Sequence, residues 1–188
     1  MRGANLMTIA WIASVSLGLA ILWNFGARPG DETTTQTRWP VDVVPLADRE
    51  FELVVFLHPF CACSKATVQE LNRIVASRSD RLTVRVFSFH PENPSPEWKK
   101  SPLLESVRDI PGVTIQMDAG GRLAAAFGAR TSGHTMLFSR DGQSLYSGGI
   151  TMSRGHEGTN HGRVAIESII DGVSSIGIHS IPVFGCRI

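Results

Sequence analysis

The chain is poor in cysteine: 188 residues carry only Cys61, Cys63 and Cys186. A small, odd set excludes a scaffold stapled by several disulfides. It suits a working thiol pair plus one, or a small metal site. An excess of charge is also missing, since 18 Lys and Arg against 17 Asp and Glu leave a formal net charge of +1. That balance excludes the strongly basic footprint of a nucleic-acid binder and gives no reason to expect an acidic partner. No internal repeat and no long low-complexity tract is present. With 19% charged and 43% hydrophobic residues, the composition is that of an ordinary globular domain plus an appendage.

Charge is absent altogether from Leu6 to Ala27. About 20 apolar residues suffice to cross a bilayer core as a helix, and Trp11 and Trp23 stand toward the two ends, where aromatic belts lie. A cleavable signal peptide is the competing reading. Its apolar core runs about 7–15 residues before a small-residue cleavage site. The stretch here is longer, and Phe25 and Ala27 make a poor cleavage pair, so a retained anchor is expected over residues 1–27. Arg2 and the terminal amine precede the span, whereas Arg28 behind it is offset by Asp31 and Glu32. The positive-inside bias then keeps the N-terminus in the cytoplasm and exports the rest to an oxidising, periplasmic side. Residues 28–48 are polar, lack periodicity and are punctuated by Pro40 and Pro45, which reads as a tether. The folded domain is expected over 49–188.

Within that domain strands and helices alternate. Leu53–Leu57 is a short apolar run of a buried strand. Apolar positions at Ala66, Val68, Leu71, Ile74 and Val75 predict a helix from about Cys61 to Ala76. Leu82–Phe89 predicts a second strand, followed by a proline-rich stretch with a helix near Pro102–Asp109. Val113–Met117 is a further strand, and Gly121–Phe127 a helix closed by Gly128. Asp141-Gly142 between Thr135–Phe138 and Ser144–Ser147 is a hairpin signal. Arg163–Ile170 closes the pattern as a helix. The order predicts an α/β fold with a mixed sheet flanked by helices.

This order resembles the thioredoxin fold, in particular its exported, membrane-anchored thiol-disulfide oxidoreductases. The run Leu53-Val54-Val55-Phe56-Leu57-His58-Pro59-Phe60-Cys61 looks like the strand that delivers a cysteine to a helix start. Asp118 through Ala129 and the hairpin around Arg140-Asp141-Gly142 look like later parts of that fold, so the likeness covers about residues 50–172. More narrowly, His58–Ser64, Thr131-Ser132-Gly133-His134, Arg154-Gly155-His156-Glu157-Gly158 and Pro182-Val183-Phe184-Gly185-Cys186 look like RedB-type thioredoxin-like proteins. The resemblance implies thiol-disulfide chemistry on exported protein thiols or disulfides, with no cofactor. Two departures stand out. The family places two residues between its cysteines. Counted back from Gln69-Glu70-Leu71, Cys61 falls on the first cysteine, Ser64 on the second, and Cys63 one place early. The family also carries a cis-proline before its third core strand, whose place Gly133 or His134 takes here. No threonine stands before the cysteine in the manner of peroxiredoxins.

The residues carry their own chemistry. A cysteine at a helix start faces unpaired N–H groups and the positive end of the helix dipole. Both favour the thiolate, which is the nucleophile in disulfide exchange. Cys61 is therefore the expected nucleophile, with Cys63 and Cys186 as the other catalytic candidates. An i,i+2 disulfide between Cys61 and Cys63 closes a small, strained ring and would be labile. Cys186 follows the apolar run Ile181-Pro182-Val183-Phe184, which should dock on the body, either bringing a resolving thiol to the site or leaving a remote one. Arg154 is a candidate to stabilise a thiolate, and His156 to act as acid or base; a solvated loop before the last helix is the plainer reading. His134 is either a ligand or proton shuttle, or a histidine satisfied locally. Three functions follow: a thiol-disulfide oxidoreductase acting through the Cys61-Ala62-Cys63 motif; a copper or zinc binding protein or metallochaperone using Cys61, Cys63, His134, His156 and Cys186; or a non-catalytic adaptor. The separation of Cys186 from Cys61 is the observation that bears on them most.

Overall fold

The structure is a computed structural model that describes residues 2–31, 36–173 and 178–188. Helix α1 spans Arg2–Ala27. Its stretch Asn5–Ala27 has 23 residues of mean hydropathy 2.0, none of them buried. At 1.5 Å per residue it is about 35 Å long, against a hydrocarbon core of about 30 Å. It is long and apolar enough to cross a membrane, a property that retained anchors and signal sequences share.

The body follows as β1 (Phe51–Leu57), α2 (Ser64–Arg78), β2 (Leu82–His90), a 3-10 turn at Pro96–Lys99, α3 (Pro102–Arg108), β3 (Val113–Ala119), α4 (Arg122–Phe127), β4 (His134–Ser139), β5 (Ser144–Gly149), α5 (His161–Ile170) and β6 (Ile178–Ile181). Among the described residues the strands form one sheet in the order β3-β2-β1-β4-β5-β6. β1, β2 and β3 run parallel, β4 is antiparallel to both β1 and β5, and β6 lies parallel to β5. The unit β2-β1-β4-β5, with α2 as the crossover and α5 after the hairpin, is a thioredoxin-like fold. β3 and β6 extend it at either edge.

All seven residues of β1 are buried, as expected of a central strand covered on both faces. Leu53, Val55 and Leu57 pack with Val68, Leu71 and Ile74 of α2, Leu104's neighbours Leu103 and Val107 of α3, and Ile166 and Ile170 of α5. On the opposite face Val54 and Phe56 pack with Phe87, Phe127, Met136 and Phe138. Local signals set the helix starts. Ser101 accepts from Leu104 N–H at 3.2 Å ahead of Pro102, and the Asp118 carboxylate takes the N–H groups of Leu123 and Ala124 at 2.8 and 2.9 Å. Gly128 closes α4 with φ 72°, a left-handed position that suits glycine.

Three expectations need correction. Helix α2 begins at Ser64, so Cys61 and Cys63 lie in the turn ahead of it, where Cys61 N–H donates to His58 C=O at 2.9 Å. Strand β6 was not anticipated. The stretch 28–48 is not a free tether over its described residues. Trp39 is only 4% exposed; it stands edge-on to Phe127 and Phe138 with centroids at 4.9 and 5.1 Å, and its indole N–H donates to Val44 C=O at 2.7 Å. Trp39 N–H also donates to Gly142 C=O at 2.8 Å, and Ser144 N–H to Thr37 C=O at 3.0 Å. A proline-punctuated polar stretch hides two buried apolar side chains, Trp39 and Val44, that cover the α4 face of the sheet.

Replacing a buried tryptophan by alanine removes its packing and leaves a cavity, at about 3–5 kcal/mol. Trp39→Ala should therefore lower the unfolding free energy, read from denaturant titration, by that much. A variant as stable as the parent would return residues 36–48 to the role of a linker.

Candidate active site

Cys61 ends the turn that leaves β1, and Cys63 is the N-cap residue of α2, in helical conformation and with no side-chain cap. Across from them comes the C-terminal segment. Cys186 N–H donates to the Cys61 sulfur at 3.2 Å, which brings the two cysteines together. Cys61 is 2% exposed, Cys63 is half-buried, and Cys186 is exposed; all three are free thiols.

Burial alone would push the Cys61 thiol up. Hydrogen bonds from the Cys186 thiol, the Ser64 side chain and the backbone N–H groups of Cys186 and Ser64 outweigh it, and hold Cys61 below the ordinary thiol value. Cys186 goes the other way. Burial, its hydrogen bond to Cys61 and the charge of Cys61 and Cys63 push it up to about 12, against a smaller lowering by Arg154. Two thiols in contact share one proton more readily than they ionise together. Of the two, Cys61 is the thiol that gives up its proton first.

Ser132 organises this contact. Its hydroxyl accepts from His58 N–H at 2.8 Å and lies 2.7 Å from the Ser64 hydroxyl. Its own N–H donates to Cys186 C=O at 2.8 Å. Gly133 beside it has φ 95°, and a Cβ there would stand 2.9 Å from Thr67 Oγ1, so the position accepts glycine alone without strain. Gly133 thus occupies the sharp turn where the family's proline was expected. Gly185 is equally tight: a Cβ would fall 1.9 Å from Ser132 O. The pairing continues through the Thr131↔Arg187 bridge and Ile188 N–H to Arg130 C=O at 3.0 Å.

The other candidates are dispersed. Arg154 does reach this edge, with its guanidinium donating to Gly185 C=O at 2.6 Å. The loop that carries it is held by Glu70 of α2, fully buried, which accepts from Gly158 N–H at 2.8 Å, Asn160 at 3.2 Å and Arg163 at 2.7 Å, and pairs with Arg73. His156 is exposed on that loop. His134 pairs with Phe56 in register, so its side chain faces the α4 side of the sheet, away from α2. It is fully buried, its Nε2 lies 2.9 Å from Ser147 Oγ, and burial pulls its pKa down to about 4. Its Nε2 is thus paired locally, whereas its buried Nδ1 has no hydrogen-bond partner among the described residues. Among the described residues no group of three His, Cys, Asp or Glu is arranged to hold a metal ion. Sequence reasoning passed over Ser132, Glu70 and Gly185. A serine, a helical glutamate and a glycine give no local signal of such contacts.

Beside Cys61 opens a cavity of about 400 Å³, lined by Pro59, Phe60, Ala62 and Lys65 and by Pro102, Leu103 and Ser106 of the α3 region. Phe60, half exposed, packs edge-on to Trp98 with centroids at 4.9 Å. His58 stacks on Phe89 at 5.6 Å behind it, and burial lowers its pKa.

No protein-family model matches the chain, and no curated protein matches it. Solved structures do. A hypothetical protein from Sinorhizobium meliloti superposes with TM-score 0.60 at 18% identity, over 86% of this chain and 93% of its own. An uncharacterized conserved protein from Geobacillus kaustophilus gives 0.59 at 17%, over 86% and 92%. A putative thiol:disulfide interchange protein DsbE from Chlorobium tepidum gives 0.48 at 14%, over 77% and 96%. The first two likenesses extend the thioredoxin-like fold over most of the chain, as the strand order already requires.

Gly185→Ala should push the C-terminal segment off Ser132 and strip Cys61 of both donors from Cys186. The pH profile of Cys61 alkylation should then move to higher pH, with the rate at neutral pH several-fold lower. An unchanged profile would mean that Cys186 does not set the reactivity of Cys61.

Proposed function

We propose that the chain is an exported, membrane-tethered thiol-disulfide oxidoreductase whose redox pair is Cys61 and Cys186, with Cys61 as nucleophile. One observation carries this reading: Cys186 N–H donates to the Cys61 sulfur at 3.2 Å. The two cysteines are held side by side, as a disulfide between them needs. The thiolate-favouring surroundings of Cys61 are those that exchange needs. The cavity beside it gives an extended partner segment room to lie against the sulfur. Cys63, expected to pair with Cys61 despite standing one place early, becomes an accessory thiol. The four short motifs quoted above remain the support for the finer RedB-type assignment.

The reaction is two exchanges. The Cys61 thiolate attacks one sulfur of a partner disulfide, and the other partner sulfur leaves as a thiolate and takes up a proton. Cys186 loses its proton and attacks Cys61 in the mixed disulfide, which releases the second partner thiol. Two electrons pass to the partner, and the reverse sequence returns them.

The full-length chain, equilibrated against graded thiol-disulfide buffers, should show a reversible two-electron transition. Cys61→Ser and Cys186→Ser should each abolish it, and Cys63→Ser should leave it. Loss in Cys63→Ser with retention in Cys186→Ser would move the pair to Cys61 and Cys63.

A further inference from the structure

The reactive edge is fastened to the end of helix α1. Arg154 N–H donates to Gly26 C=O at 3.1 Å, and its guanidinium lies over the Phe25 ring at 5.1 Å. The same guanidinium donates to Gly185 C=O, one residue before Cys186. Gly30 N–H donates to Val183 C=O at 2.8 Å, and a Cβ on Gly30 would fall 2.2 Å from Thr131 Cγ2. Thr131 Oγ1 donates to Asp31 C=O at 3.1 Å, and the Asp31 carboxylate meets Arg187 at 3.4 Å. The chain leaving the span therefore grips Val183 and Arg187, and Arg154, itself held at the end of α1, grips Gly185, so that the contacts bracket Cys186.

The height of this edge follows from the span. A helix of about 35 Å overshoots a core of about 30 Å by a few residues; with that excess on the domain side, Trp23 to Ala27 would lie at the lipid headgroups. Trp23, 81% exposed, has the place of an interfacial aromatic. Ser153 shares a cavity of about 690 Å³ with Leu19, Leu22, Trp23 and Gly26. The neighbouring Met152 is 45% exposed. On that placement the loop from Met152 to Gly155 would meet the bilayer surface, with Arg154 as the link to the thiols.

We propose that the Cys61 and Cys186 pair exchanges with cysteines presented at the level of the lipid headgroups, on a membrane-embedded partner. This rests on the redox reading above and adds where the partner's sulfurs lie. A domain swinging on a long tether would serve soluble exported proteins from any side. A docked domain holds its thiols where a soluble globule meets the bilayer as an obstacle, whereas a partner in the same membrane arrives by lateral diffusion. The electrons move as in the two exchanges already written.

The test uses the full-length chain in phosphatidylcholine vesicles containing a phosphatidylethanolamine whose headgroup bears a pyridyl disulfide. Release of pyridine-2-thione is followed, with a soluble pyridyl disulfide of cysteine in parallel. An insertion of about 20 Gly and Ser residues after Ala27 frees the edge to wander some 25 Å. It should lower the rate with the lipid disulfide about tenfold, through lost effective concentration, and leave the rate with the soluble one unchanged. An unchanged or faster lipid reaction in the insertion variant overturns the docked edge. The redox reading is judged separately: if Cys61→Ser reacts with the soluble disulfide as fast as the parent, that reading fails whatever the lipid result.

Discussion

The pairing of the C-terminal segment with the turn before β4 is the contact on which the reactive edge depends. Ser132 N–H to Cys186 C=O, the Thr131↔Arg187 bridge and Ile188 N–H to Arg130 C=O lay residues 186–188 along that turn. Ordering each backbone residue costs about 1–2 kcal/mol. Three backbone hydrogen bonds return about 1 kcal/mol each, and burial of Val183 about 2 kcal/mol. For the six residues from Val183 to Ile188 the ordering cost exceeds these gains by a few kcal/mol. The close fit of Gly185 on Ser132 and the Arg154 bond to Gly185 then decide whether Cys186 stays at Cys61.

That placement also sets the charge distribution. A sulfur as buried as that of Cys61 would ordinarily favour the neutral thiol. Donors converge on it from two directions, Ser64 at the start of α2 and Cys186 from the tail, and reverse the preference. The Ser132 hydroxyl ties the two sides together through Ser64 and the His58 N–H. Glu70 works a layer deeper. By gathering Gly158, Asn160 and Arg163 against α2, it fixes the loop whose Arg154 lies at the tail and at the exit of α1.

Much of the fold was legible because its signals are local. The apolar run of β1, the Asp141-Gly142 turn, Gly128 after α4 and the 3.6-residue spacing in α2 each announce an element within a few residues. The edge strand β6, which joins β5 across the length of α5, has no such announcement. Nor do Trp39 and Val44, whose burial is decided by a groove over α4 that sequence spacing does not see. The site divides in the same way. Cys61 at a helix start is a local pattern. The pull toward Cys63 came from spacing, which registers neighbours along the chain, whereas the contact with Cys186 spans 125 positions. His134 misled because its distance from the cysteines in the fold depends on which face of β4 it occupies, and register with Phe56 turns it to the far side.

The anchor and the thiols form one unit in this account, since the residues that leave α1 contact the tail on both sides of Cys186. Its central claim is that Cys61 finds its partner in Cys186. Peptide mass mapping of the mildly oxidised full-length chain tests this most directly, because Cys61 and Cys63 share one tryptic peptide and Cys186 lies in another. The account predicts a cross-link that joins the two peptides. An internal disulfide within the Cys61 and Cys63 peptide, with Cys186 free to alkylation, would contradict it.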